Sequence, residues 1–377
     1  MPNRAVRERI VELLRSAPLV DGHNDLLWEL RLARERGEEL DPSRPIEALQ
    51  TDLPRMQSGC VGGQFWSVYV PSDLPDETAV ARTFEQIEAL FELVGRYPDR
   101  LERARTANDV ERIAAAGRVA SLIGVEGGHS IGSSLGTLRR LAELGAGYLT
   151  LTHADDTPWA DSATGDRTNG GLTEFGERVV RELNRLGVLV DLSHTSDDTM
   201  RRAIDVSEAP VVFSHSSARA LAGVARNVPD DVLELVARTG GVVMVTFVPM
   251  FLTAAGAASD EAAWAETRRL RQRHPGDPEG VRRAMDAWFD SHPPPPTGVG
   301  DVADHVDHIR RVAGIEHIGI GGDFDGSPWM PDGLQDASAY PALFAELADR
   351  GYSEDDLRMI AGRNVLRVMR QAEAVAD

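Results

Sequence analysis

His23 and Asp25 stand two residues apart after a short apolar run. Side chains of an extended segment alternate with a period of two, so the imidazole and the carboxylate share one side. Both are groups that Zn2+ accepts as ligands. The pair is weak evidence alone, but the same event recurs down the chain. Apolar runs end on Glu126, His153, His194, His215 and Asp323. Four of the ten histidines and three carboxylates thus fall where an apolar run stops. Imidazoles and carboxylates gathered in that number suit metal-assisted hydrolysis, with a carboxylate left over to move protons.

What would gather them is a set of parallel strands. Runs at 19–23, 63–70, 118–126, 148–153, 188–194, 210–215, 242–247 and 317–323 are apolar and rich in β-branched or aromatic residues. Helical spacing of apolar positions separates nearly all of them, at 76–94, 107–116, 134–145, 173–186, 197–206, 230–238 and 300–313. Gly187 supplies a stop signal for the helix before it. Eight strand–helix units predict an α/β fold, a (β/α)8 TIM barrel formed by residues 1–377 as a single domain. Residues 252–300 are polar, with helical stretches and a proline run, and are expected to form an insert between strands seven and eight. Barrel active sites lie at the C-terminal strand ends, where the seven residues fall. Strand ends two and seven carry no ligand-type residue.

The remaining histidines are expected to be structural. His305 and His308 are spaced for the outer surface of a helix, and His274 and His292 lie in the insert. His317 starts a strand, at the wrong face of the barrel. His129 follows two glycines and is expected in loop packing or in support of the site.

Composition narrows the function further. The formal charge of −20 opposes nucleic-acid binding, which needs a basic footprint. No apolar run is long enough for a membrane span, and no signal-peptide pattern is read at the start. One cysteine, Cys60, excludes an internal disulfide and any cysteine-based zinc site, and points to the cytoplasm. There is no lysine among the 40 basic residues. A Walker-type phosphate loop and a lysine Schiff base are therefore excluded.

The chain resembles the renal (membrane) dipeptidase family, within the binuclear-metal amidohydrolase superfamily of barrels. The resemblance is carried by DGHND at 21–25, GQFWSV at 63–68, GVEGGHS at 124–130, LTLTH at 149–153, LNRLGV at 183–188, DLSH at 191–194, FSHSS at 213–217, RNVPD at 226–230 and GGDFDG at 321–326. It implies a zinc-dependent dipeptidase that accepts a D-residue on the carboxyl side. His23 and Asp25 would hold one Zn2+, His194 and His215 a second, with Glu126 and a hydroxide bridging the two. His153 would polarise the scissile carbonyl, Arg226 would bind the substrate carboxylate, and Asp323 would act as general acid and base. Two dications roughly 3.5 Å apart repel by about 19 kcal/mol at an effective dielectric of ~20, so anionic bridges are required. A lysine-free chain cannot use a carboxylated lysine, which leaves Glu126. The expected partner is a small dipeptide, and a homodimer is admitted. Phe251 stands where membrane-bound members have a tyrosine near the substrate. Two other readings stay open: hydrolysis of a lactone, β-lactam or phosphoester at the same centre, and a metal-retaining scaffold without turnover.

Overall fold

The computed structural model describes residues 4–376. Its strands are β1 (Leu19–Asn24), β2 (Val61–Tyr69), β3 (Leu101–Arg103), β4 (Val119–Glu126), β5 (Ala146–Thr150), β6 (Leu189–Asp191), β7 (Val212–Phe213), β8 (Val242–Val245) and β9 (Ile318–Ile320). They form one parallel sheet in the order β2-β1-β9-β8-β7-β6-β5-β4-β3, and β2 also pairs with β4. That pairing closes eight strands into the (β/α)8 barrel that the alternation predicts.

A ninth strand, β3, lies outside the eight that the sequence predicts. It pairs with the first half of β4 (Leu101 opposite Val119), and β5 takes over from Ile123. Three residues with a single apolar position carry no readable alternation. The expected strands at 188–194 and 210–215 are cut to three and two residues. A side chain replaces the ladder there, because Asp191 Oδ1 accepts the N–H groups of Ser193 (3.1 Å) and Ser214 (2.8 Å).

Helix ends follow the local chemistry. Thr106, Ser134, Thr173 and Ser196 accept backbone N–H groups at helix starts, each worth about 1 kcal/mol. Gly145, Gly187 and Gly240 close helices in the left-handed region. Residues 362–375 approach Pro18, Gly187 and Gly240, which stand just before β1, β6 and β8. The last helix, Asn364–Val375, therefore covers the N-terminal end of the barrel and leaves the other end for chemistry.

Helices Ala254–Arg273 and Pro278–Ser291 occupy the expected insert between β8 and β9. Arg271 pairs with Asp155 beyond β5 at 3.1 Å, and the Phe289 ring lies 4.7 Å from Trp329 beyond β9. These contacts draw the insert over the C-terminal mouth.

His305 and His308 are not on an outer surface. Both are buried, because helix Val299–Val312 packs its histidine face onto the loop after β7 and the start of the insert. His305 Nδ1 accepts the N–H of Ala218 (3.0 Å) and its Nε2–H donates to Leu252 O (2.9 Å). His308 Nε2 meets Asp230 Oδ1 at 2.8 Å. Burial pulls His305 down to about 4. The unfolded chain therefore takes up this proton first, near 6.5, and stability present at neutral pH is lost on acidification. By pH 5 the loss is expected to reach roughly 2 kcal/mol. Urea midpoints at pH 7 and pH 5 check it. The acid-induced drop should shrink in His305→Gln, and equal drops would mean that His305 is already charged when folded.

Candidate active site

Glu126 closes β4 at the centre of the mouth and is buried. Gly127 follows with φ of +99°, and a Cβ there would lie 2.3 Å from the His129 ring. Glycine thus lets the chain turn away while the carboxylate stays behind. The two carboxylate oxygens face different partners. Oε2 lies 3.4 Å from His23 Nε2 and accepts the Ser67 hydroxyl at 2.9 Å. Oε1 lies 3.1 Å from His194 Nε2, and 3.7 Å from both His215 Nε2 and His153 Nε2. His23 Nε2 is also 3.3 Å from Asp25 Oδ2.

Further hydrogen bonds aim the imidazoles. Tyr148 OH donates to Gly22 O (3.1 Å), so it accepts from His23 Nδ1 (3.0 Å). Ser214 Oγ donates to Asp191 Oδ2 (2.6 Å), so it accepts from His215 Nδ1 (2.9 Å). Both rings thereby turn Nε2 toward the centre, the orientation that metal-ligating histidines adopt. Asp25 N donates to Phe324 O (2.9 Å) and Asp323 N to His23 O (3.3 Å), which brings the ends of β1 and β9 together. His194 and Asp323 have φ of +67° and +60°, a conformation that re-aims side chains at strand ends and concentrates at functional sites. Gly326 packs against both Asp25 and Asp323, where a Cβ would come within 2.2 Å of Asp323 Oδ1.

These donors fit divalent metal. Three overlapping groups have ligand atoms within 4.8 Å of one another: His23, Glu126 and His215; Glu126, His153 and His194; and His23, Asp25 and Asp323. His194 Nε2 and His215 Nε2 are 2.9 Å apart. Burial, together with the nearby Arg226 charge, holds both imidazoles well below their ordinary value. Two neutral nitrogens converging on one point are satisfied by a cation between them. Burial opposes ionisation of Glu126, yet the surrounding histidines keep it a carboxylate, well below its usual range. Burial pushes Asp323 up to about 7 against the pull of His23, with Asp25 and Glu126 adding to the rise.

At the rim, Arg226 is buried, with Nη1 3.2 Å from Ser216 Oγ, Nη2 3.1 Å from His215 O, and Nε without a protein partner. Phe251 lies under its guanidinium at 5.5 Å. Arg226 opens onto a cavity of about 910 Å³ whose far wall is the insert helix carrying Asp260 and Trp264. His153 Nδ1 is buried without a partner, and burial lowers the ring below its ordinary value. All eight residues singled out in the sequence therefore meet at one mouth. His129 packs beside it, its Nε2 bonded to Val70 O at 2.8 Å. Sequence reasoning missed Ser67, Tyr148, Asp191 and Asp260. The period of two could have flagged Ser67 on β2, and Asp191 is a charge inside an apolar run; nothing local marks Tyr148 or Asp260.

Among the described residues no helix is long and apolar enough to cross a membrane. The sequence profile described as Membrane dipeptidase (Peptidase family M19) matches residues 7–377. Dipeptidase 3 of Mus musculus is 42% identical over 377 residues, covering 99% of this chain and 68% of that protein. The crystal structure of the probable dipeptidase PvdM from Pseudomonas aeruginosa superposes with a TM-score of 0.85 at 25% identity, covering 99% of this chain and 100% of that one. A metallopeptidase from Rhodobacter sphaeroides, liganded with a phosphinate mimic of the dipeptide L-Ala-D-Ala, gives a TM-score of 0.78 at 26% identity, with 94% and 99% covered. Fold, donor set and relatives agree: the chain belongs to the membrane dipeptidase family, peptidase family M19, and is a metallo-dipeptidase.

Proposed function

We propose that this chain cleaves the single peptide bond of dipeptides, including those with a C-terminal D-residue, with two Zn2+ ions. The observation that carries the reading is the division of Glu126, whose Oε2 faces His23 and whose Oε1 faces His194 and His215. His23 and Asp25 would hold one ion, His194 and His215 the other, with Glu126 across both. Bound there, the pair would supply Lewis-acid polarisation and a bridging water ionised to hydroxide near neutral pH.

The chain's own groups do the rest. Asp323 takes the proton released by the nucleophile and returns it to the leaving amine. A carboxyl lifted to about 7 suits both halves of that task. His153, unpartnered at Nδ1, stabilises the oxyanion from the other side of Glu126. Arg226 pairs with the substrate carboxylate through its fork of donors. A lactone or phosphoester without a carboxylate would have no use for that buried guanidinium. The L-Ala-D-Ala mimic held by the Rhodobacter sphaeroides relative supports the tolerance of a D-residue. The single cysteine supports a cytoplasmic location.

A dipeptide library comparing L,L with L,D forms, run beside elemental analysis, tests the proposal. About two equivalents of zinc and turnover of both forms are expected; metal without dipeptide turnover would favour a scaffold. Arg226→Met is expected to lower kcat/KM about 100-fold, mostly through KM, since a lost charge-assisted pair is worth roughly 2–3 kcal/mol. An unchanged KM would remove Arg226 from substrate binding.

A further inference from the structure

β1 holds one residue more than its neighbour. From Asp21 to Asn24 it advances three residues while β2 advances two, from Gln64 to Trp66. Val20 points into the barrel, packed with Phe65, Leu122, Tyr148, Val212 and Met244. Gly22 also points inward, since a Cβ there would collide with Ser214 O and the Met244 side chain. Strict alternation would next turn Asn24 inward and leave His23 facing the helices. The extra residue breaks that alternation. His23 follows Gly22 inward and meets Glu126, while Asn24 turns away and donates to the Thr51 hydroxyl at 2.8 Å. A bulge at a strand end re-aims a side chain in this way.

Asp21 holds the bulge from the helix side of β1, where it is fully buried. Its Oδ1 accepts the N–H of His23 at 3.3 Å and that of Gly322 at 2.8 Å, and its Oδ2 accepts the Tyr340 hydroxyl. β1 and β9 share a single register match, Asp21 with Ile320, so beyond it the carboxylate stands in for the ladder. Tyr340 reaches Asp21 from helix Tyr340–Asp349. Its ring is clamped by Phe247 and Phe324, with centroids 6.0 and 5.4 Å away. Gly322 leaves room for the hydroxyl, because a Cβ there would lie 3.2 Å from it.

We infer that Asp21 and Tyr340 are positioning residues for His23 and Asp25, so that one of the two ions depends on a hydroxyl supplied by a helix outside the barrel. The hydroxyl fixes the carboxylate, and the carboxylate fixes the His23 N–H. The bulge then points His23 Nε2 at Glu126 and keeps Asp25 on the same side. His215 is held separately, through Ser214 and Asp191. The inference rests on the two-ion reading, with His23 and Asp25 on one ion and His194 and His215 on the other.

Tyr340→Phe removes the hydroxyl and keeps the ring that fills its space. Zinc is titrated out of the whole protein with a chelator, the equivalents that remain are read by elemental analysis, and a urea midpoint is measured beside it. In Tyr340→Phe the dissociation constant of one equivalent is expected to rise about 10- to 100-fold, the range for partners that stand behind a metal ligand. The other equivalent should leave as in wild type. Asp21→Asn, which puts an N–H where the carboxylate accepts, should loosen the same equivalent. The double variant should go no further than the larger single change, because the two residues act in series. Tyr352→Phe is the control: it removes a hydroxyl that donates to Asp307 at 2.7 Å in the helix layer, and both equivalents should leave as in wild type. A wild-type release profile in either Tyr340→Phe or Asp21→Asn overturns the inference. So does an equal shift of both equivalents with a lowered urea midpoint, which would mark general loosening. A wild-type protein that holds fewer than two equivalents overturns the two-ion reading and the inference together.

Discussion

Glu126→Gln is expected to lower kcat about 100- to 10,000-fold and to cut bound zinc well below two equivalents. The substitution keeps the shape but exchanges one oxygen for an NH2 group that cannot ligate. Whichever way the amide turns, an N–H meets either His23 Nε2 or the His194 and His215 pair, the two faces now served by Oε2 and Oε1. The central negative charge also disappears. Two dications at roughly 3.5 Å then repel without their protein bridge, a term of about 19 kcal/mol at a dielectric of ~20 before other anions offset it. Breaking a buried charge arrangement by removing one partner costs about 3–5 kcal/mol, which corresponds to two to four decades in rate. Elemental analysis and turnover of L-alanyl-D-alanine check the result, with circular dichroism to confirm folding. Two equivalents of zinc with near-normal turnover would take Glu126 out of the bridge.

Asp323→Asn should lower kcat by about 100- to 10,000-fold, the range for loss of a general acid–base group, while KM and zinc content stay close to wild type. The metal measurement is what makes this variant decisive. Asp323 also lies within ligand reach of His23 and Asp25, so its carboxylate could serve as a ligand instead. Loss of one zinc equivalent in Asp323→Asn would assign it that role and leave proton transfer to another group. Asparagine tolerates the left-handed backbone, so the φ of +60° at this position does not confound the comparison.

The insert shapes the Arg226 side of the site. Its sequence is a polar excursion, fit to cover the site or to meet another subunit. In the structure its first helix walls the Arg226 cavity and is tied by Arg271 to Asp155, which also accepts the Ser72 hydroxyl at 2.6 Å. Loops after β2 and β5 are thereby linked to the insert, and Asp260 enters the neighbourhood of Arg226. Burial lifts Asp260 to about 6, opposed by Arg226.

By itself the sequence determined the barrel and the polar residues that end its strands. Parallel strands are buried on both faces, so each reads as an apolar run, and the first ligand-type residue after it marks the strand end. His23, Glu126, His153, His194, His215 and Asp323 were legible for that reason, and Arg226 through its family resemblance. Only the tertiary structure decided how they face one another. Which oxygen of Glu126 faces which imidazole depends on strands far apart in the chain and on the turns at His194 and Asp323. Tyr148 and Asp191 hold His23 and His215 from other strands, and nothing in the sequence says which imidazole each one meets. His305 and His308 went inward because a loop and an insert were folded over their helix.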